Sequence, residues 1–437
     1  MSEATLNAFG KQLVDMTLNK SRYDALDLEW YTESPFWRRT NMNYSREYKT
    51  IPDYEIGDLQ QGLSLNDILY ESESLESSII DYRKKAKACE NERIKFLLEH
   101  THNLNVRTKL LLGQKMSFNE MTNGLYNLVA PKFDYSRFDN MHSQLGKELP
   151  GSGDVNNRID LYRKSTEIPK EELLSILRNV TLFFHNSTVD HMNVTGNSMP
   201  RVRVRNLYDD KTVFLSILFG YDYDHIQYER NFNLNYCWTI DNVIEYIGHE
   251  MEPGHLTFFE KRLQKMIDTC WPEMMIISQY SASSAFTEGA ARHAIDLVFN
   301  ESIEEKINYE IENIIKPAHL DISISKHLPL WHEFIELSGY GKLEASRNIW
   351  DGKWSKTEAA QFLEKYGFVN QGTGLSEIDS LMSDDGHYVC HDYSRDIQRK
   401  YFHNHATSIE EQWKLYEKMC SLPISMSDIV IEVGKPT

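Results

Sequence analysis

A helix in the middle of this chain cannot continue, and the place where it must stop carries its most reactive side chains. Ile240, Val243, Ile244 and Ile247 recur at i, i+3, i+4 and i+7, the spacing of a buried seam on an α-helix. Thr239 is a good N-cap for it, and Asp241 stands in its first turn. Pro253 then withholds an N–H from the carbonyl of His249 and its ring crowds that carbonyl. Gly254 can take backbone angles closed to other residues. A break at 253–254 is therefore expected.

The break divides the stretch His249-Glu250-Met251-Glu252-Pro253-Gly254-His255. On a helix, histidines at i and i+4 lie about 40° apart and can share a metal, whereas i and i+6 lie about 120° apart and cannot. The Pro-Gly pair lets His255 turn back toward His249. Neutral imidazoles are common zinc ligands, and a glutamate beside a metal can act as a base toward water. His249 falls roughly opposite the apolar seam, so it is expected to face a cleft.

Two protein ligands are fewer than a catalytic zinc site uses. The segment Ser283-Ser284-Ala285-Phe286-Thr287-Glu288-Gly289-Ala290-Ala291-Arg292-His293-Ala294 offers a third in Glu288. A serine can cap this helix, and Gly289, Ala290, Ala291 and Ala294 form a smooth face that another helix can approach. Two readings of Glu288 stand open here. It is either a ligand or a solvated partner of Arg292 at i+4.

Elsewhere the pattern is mostly helical. Leu69 to Leu112 has few breakers and many charges and predicts one or two long surface helices. Pro150-Gly151-Ser152-Gly153 predicts a loop, and residues 170–186 an amphipathic helix. Residues 212–219 and 225–232, joined through Gly220-Tyr221-Asp222-Tyr223-Asp224, predict a β-hairpin. Arg201, Arg203 and Arg205 alternate ahead of it, either as a solvated strand face or as a clamp for a substrate carboxylate. The expected division is an N-terminal helical region over 1–170 and a metal-binding catalytic region over 171–437, packed as one body.

With 41% hydrophobic and 26% charged residues, the 437-residue chain can bury a core. A net charge of −18 argues against nucleic acid or an anionic membrane as partner. Five scattered cysteines without a CxxC pair, no signal-peptide core and no long apolar run point to a cytoplasmic protein.

His-Glu-x-x-Pro-Gly-His followed by a Glu-Gly helix resembles domain-of-unknown-function family 885, read as zinc peptidases of the gluzincin type. Asn233-Leu234-Asn235-Tyr236-Cys237-Trp238-Thr239 resembles the family's approach to the motif. Gly352 to Ala360 with Tyr366-Gly367 resembles its late helix, and Tyr388-Val389 through Tyr393-Ser394-Arg395 its C-terminal tyrosine-rich helix. The likeness covers about 170–410. Met251-Glu252 and Leu256 depart from the family pattern, Glu252 by adding a carboxylate beside the site.

The resemblance implies His249, His255 and Glu288 as ligands and Glu250 as general base. It also implies a mainly α fold with a small sheet, of the neurolysin-like or carboxypeptidase Taq-like kind with a central cleft. An oxyanion formed during hydrolysis needs a stabilising group. Tyr393, Arg395 and His391 are the candidates, and the resemblance favours Tyr393. His387, Cys390 and His391, with Asp392, have the spacing of a second metal group, and His403 and His405 read as exposed.

The expected function is a zinc-dependent hydrolase, with Mn²⁺ or Fe²⁺ as other acceptable ions. Its substrate would be a peptide or a small amide. A different C–N bond, or a non-catalytic metal-binding scaffold, are the alternatives.

Overall fold

The structure is a computed structural model that describes residues 2–24, 62–192, 194, 200–205, 214–220, 226–269, 271–275, 278–383, 385–424 and 426–433. It is mainly helical. The first helices are α1 (Ser2–Lys20), α2 (Leu65–Arg83), α3 (Asn91–Leu111), α4 (Phe118–Tyr126), α5 (Tyr135–Glu148), α6 (Val155–Ser165) and α7 (Lys170–His191). A small sheet follows, β1 (Arg201–Arg205), β2 (Phe214–Gly220) and β3 (Ile226–Asn233). Then come α8 (Ile240–Glu250), α9 (His255–Thr269), α10 (Ala282–Val298), α11 (Ile303–Glu310), α12 (Leu328–Trp350) and α13 (Lys356–Lys365). The last are α14 (Gly374–Ser383), α15 (Asp392–His405), α16 (Ile409–Ser421) and α17 (Met426–Val433).

The hairpin forms as expected, with Phe214 opposite Phe232 and Gly220 opposite Ile226. Its turn, 221–225, lies outside the described residues. β3 is the central strand, antiparallel to β2 and parallel to β1. Arg201, Arg203 and Arg205 are exposed on β1. The Pro150–Gly153 stretch is an exposed bend between α5 and α6. Among the described residues no helix is long and apolar enough to cross a membrane.

One large apolar core runs from Val106 to Ile429 and draws on both sides of residue 170. A smaller one joins α1, α2 and α3, from Leu6 to Leu104. The two cores meet on α3, which corrects an expectation. Leu69–Leu112 does make two helices, but the second is not a surface helix. Arg93, His100, Asn103, Asn105 and Arg107 are all buried on it.

Each of those charged or polar groups on α3 has a partner, as burial requires. Arg93 Nε donates to Glu273 Oε1 at 2.6 Å. Arg107 Nε donates to Asp24 Oδ2 at 2.7 Å, and its guanidinium lies 3.6 Å from the centre of the Tyr280 ring. Burial lowers His100 to a pKa of about 4, so the ring is neutral. Its Nδ1 then donates to Phe96 O and its Nε2 accepts from the Ser283 hydroxyl, both at 2.8 Å. Asn103 Oδ1 accepts the Ala282 N–H at 2.9 Å. The first turn of α10 is thus fastened from α3.

The other side of α10 is gripped by α15. Ser394 Oγ donates to Ala285 O at 2.6 Å, and Gln398 Nε2 donates to Phe286 O at 2.9 Å. The approach is close because Gly289 has no side chain. A Cβ there would lie 2.4 Å from Ser394 Oγ and 2.7 Å from the Ser394 carbonyl carbon. Gly289→Val should therefore force α10 and α15 apart and reduce stability by about 2 kcal/mol in chemical denaturation. An unchanged denaturation midpoint would show that this helix contact is not tight.

Candidate metal centre

The motif breaks where Pro253 and Gly254 require it. α8 ends at Glu250 and α9 begins at His255. The Glu252–Pro253 peptide is cis. The Gly254 N–H donates back to Gly248 O at 3.0 Å. A Cβ on Gly254 would sit 1.9 Å from the His249 carbonyl oxygen, so no other residue fits. Tyr416 Oη donates to Pro253 O at 2.7 Å from α16. With the turn held in this way, His255 Nε2 lies 3.0 Å from His249 Nε2, the rings edge to face.

Ile240, Val243, Ile244 and Ile247 are fully buried, as their periodicity predicts. Thr239 occupies the N-cap position, but its side chain makes no capping bond. Its backbone is instead tied across a bridge to Glu167.

Glu288 arrives from α10, whose N-cap is Ser281 rather than a serine of the 283–284 pair. Ser281 Oγ accepts the Ser284 N–H at 3.2 Å. Glu288 Oε2 lies 3.0 Å from His249 Nε2, and Oε1 lies 3.3 Å from His255 Nε2. One donor atom from each of the three buried residues falls within 4.8 Å of the others. Arg292 does not take Glu288 as its partner. It pairs with Glu245 at 3.0 Å and Asp392 at 3.2 Å.

Charge in the cluster is polarised. Burial and the neighbouring His255 lower the pKa of His249. Burial also opposes charge on His255, but Glu288 and Glu250 outweigh it and raise that ring. The same histidines overcome burial at Glu288 and hold its carboxyl well below the usual range. Two imidazole nitrogens and an ionised carboxylate facing one point form a donor set that suits a divalent ion of borderline softness. The ligand histidines of metal sites usually have an outer partner on the second ring nitrogen. His249 Nδ1 has none among the described residues.

Glu250 lies beside this set, with Oε1 4.0 Å from His249 Nε2. Its Oε2 accepts from Arg230 Nη2 at 3.0 Å. His391 also reaches the cluster, with Nδ1 3.2 Å from Glu288 Oε2, and at 19% side-chain exposure it is the most open group there. The Tyr388 ring stands edge-on to His391 at 5.4 Å.

Two expected oxyanion groups are not at the cluster. Tyr393 lines a surface depression of about 480 Å³ with Phe133, Tyr340 and Ile397. Arg395 is buried in ion pairs with Glu336 at 3.0 Å and Asp396 at 3.2 Å. Of the three late candidates, His391 alone meets the cluster; it is the N-cap of α15, and Tyr393 and Arg395 follow within the helix. The second metal group is not assembled among the described residues. His387 Nε2 instead meets Ser284 Oγ at 2.9 Å. His403 and His405 are exposed, as expected.

Arg230 and His185 belong to no motif of the sequence. Arg230 did leave a signal, as the lone cation in the alternation Ile226, Tyr228, Arg230, Phe232. A charge among apolar neighbours on one strand face needs a buried partner. His185 pairs through Nδ1 with Glu252 Oε2 at 2.5 Å, which gives the extra carboxylate of the motif its contact. Glu260, on α9, faces this pair. Burial and the charge of Glu252 push its carboxyl up to about 8.

No family model matches the chain, and no relative is found among curated proteins. Among solved structures it is similar to the “putative lipoprotein” from Colwellia psychrerythraea, at 11% identity and a TM-score of 0.50. The match covers 85% of this chain and 69% of the other. At that identity the likeness concerns the fold alone.

The state of Glu260 sets a pH dependence. Its folded pKa is about 8 against an ordinary 4.5, so the folded protein holds a proton that the unfolded chain has lost across that interval. Stability should fall as pH rises from 5 to 8, by on the order of 3 kcal/mol through this group. His185, raised by Glu252, shifts stability in the same direction as it loses its proton. Glu260→Gln removes the first contribution only. Thermal unfolding across this range should show a shallower decline for the variant and a higher melting temperature at pH 8. Parallel curves for variant and wild type would refute it.

Proposed function

We propose that this chain is a metal-dependent hydrolase of amide bonds, with Zn²⁺ as the ion and a peptide as the substrate. One observation carries the reading, the convergence of His249, His255 and Glu288 with the Glu250 carboxylate alongside. A bound divalent ion would supply Lewis acidity, polarising a carbonyl and acidifying water. The remaining work falls to side chains. Glu250 takes the proton of the attacking water and returns it to the leaving amine. His391 takes the role first expected of Tyr393. It hydrogen-bonds the oxygen that gains charge, supported by its contact with Glu288 and its greater exposure. The burial of the three ligands favours a dry site in which these hydrogen bonds are strong.

A neurolysin-like or carboxypeptidase Taq-like arrangement and a cytoplasmic location belong to the same proposal. The first is supported by two motif helices joined by a tight turn and met by a third helix carrying Glu288. The second is supported by the scattered cysteines.

Zinc affinity by chelator competition, together with hydrolysis of an internally quenched peptide library, tests the reading. Glu288→Gln should weaken zinc binding at least about tenfold. Glu250→Gln should bind zinc like the wild type and hydrolyse about 10³-fold more slowly. Failure of the wild type to bind zinc would remove the metal reading. Zinc binding without hydrolysis of any library member would favour a structural site.

A further inference from the structure

The Glu250 carboxylate is divided between two sides. Oε1 is 4.0 Å from His249 Nε2, near enough for a modest side-chain rotation to bring it into the ligand set. Oε2 is held from the opposite side by Arg230 Nη2 at 3.0 Å, and the same nitrogen reaches the Glu250 carbonyl oxygen at 3.3 Å. Arg230 and Glu250 are both buried, where a charge-assisted hydrogen bond is strong and a released carboxylate would be costly. Arg230 is anchored independently of the motif, on the central strand β3, which pairs with both neighbours.

We propose that Arg230 is a positioning residue that keeps Glu250 out of the ligand set of the His249–His255–Glu288 centre. The inference rests on the metal reading above and deepens it. Without Arg230, the buried carboxylate would lose the hydrogen bond that holds its Oε2 among the described residues, and attraction to a bound ion would draw it in as a fourth protein ligand. Closed four-ligand sets are the structural kind of zinc site, and sets with three ligands are the catalytic kind. On this view Arg230 decides to which kind the centre belongs.

The test uses the full chain with Zn²⁺ affinity by chelator competition, the visible spectrum of the Co²⁺-loaded protein, and hydrolysis of the quenched peptides. Arg230→Met should bind Zn²⁺ about tenfold more tightly, on the scale by which outer partners change metal affinity. It should also show an altered Co²⁺ spectrum and lose hydrolysis. The double variant Arg230→Met/Glu250→Gln should return to wild-type affinity and spectrum, because the gain requires the carboxylate. Should the methionine variant not fold, Arg230→Gln, which keeps a donor without the charge, is expected to show the same gain and the same reversal.

An affinity and spectrum unchanged by loss of Arg230, or a gain that persists in the double variant, overturns the inference while leaving the metal reading intact. Wild-type protein that binds no Zn²⁺ overturns both.

Discussion

The distance between the two motif histidines depends on the approach of Gly254 to the end of the helix before it. The Gly254 N–H bonds to the Gly248 carbonyl, and the space where a side chain would stand is filled by the carbonyl of His249. That contact folds the chain back within four residues, so that His255 faces His249 although the two are six apart. The Tyr416 hydroxyl, from a helix more than 150 residues later, holds the Pro253 carbonyl. The pairing of Glu288 with both rings, the place of His391 and the division of the Glu250 carboxylate all presuppose this turn.

The second half of the centre is built differently. Glu288 stands on a helix whose first turn is fastened by polar groups on both sides. His100 and Asn103 bind Ser283 and Ala282 from one side, and Ser394 and Gln398 bind the carbonyls of Ala285 and Phe286 from the other. These bonds are directional, whereas the apolar contacts around them are not. They fix the rotation and height of the helix, and with it the reach of one carboxylate. The Gly289 face lets α15 come near enough to make its share of them.

The parts of this arrangement that were legible in the sequence are those governed by local backbone chemistry. The seam of isoleucines and valine, the Pro-Gly break, the hairpin strands and the small-residue face each rest on neighbours within a few positions. The parts that were not legible depend on distant partners. α3 reads as a solvated helix because Arg93 and Arg107 look like surface charges. Their partners, Glu273 and Asp24, lie 180 and 83 residues away. Tyr393, Arg395 and His391 lie within five positions of one another, and the resemblance favours Tyr393. Which of them meets Glu288 is decided by how α15 lies on α10, and that is a property of the packed molecule. Arg230 shows an intermediate case, since its strand pattern implied a buried partner without saying which.

The dependence of α10 on α3 also bears on the order in which the chain can assemble during synthesis. Arg93, His100 and Asn103 emerge some 180 residues before Glu273, Ser283 and Ala282. At ordinary translation rates that interval is roughly 10–40 s. Through it a guanidinium, an imidazole and an amide on the face of α3 that will be buried each lack one of their native partners, and water must solvate the atoms left over. Such a face is poorly suited to premature collapse or to capture by other nascent chains. The polar character that disguises α3 as a surface helix thus suits the period in which it has to behave as one.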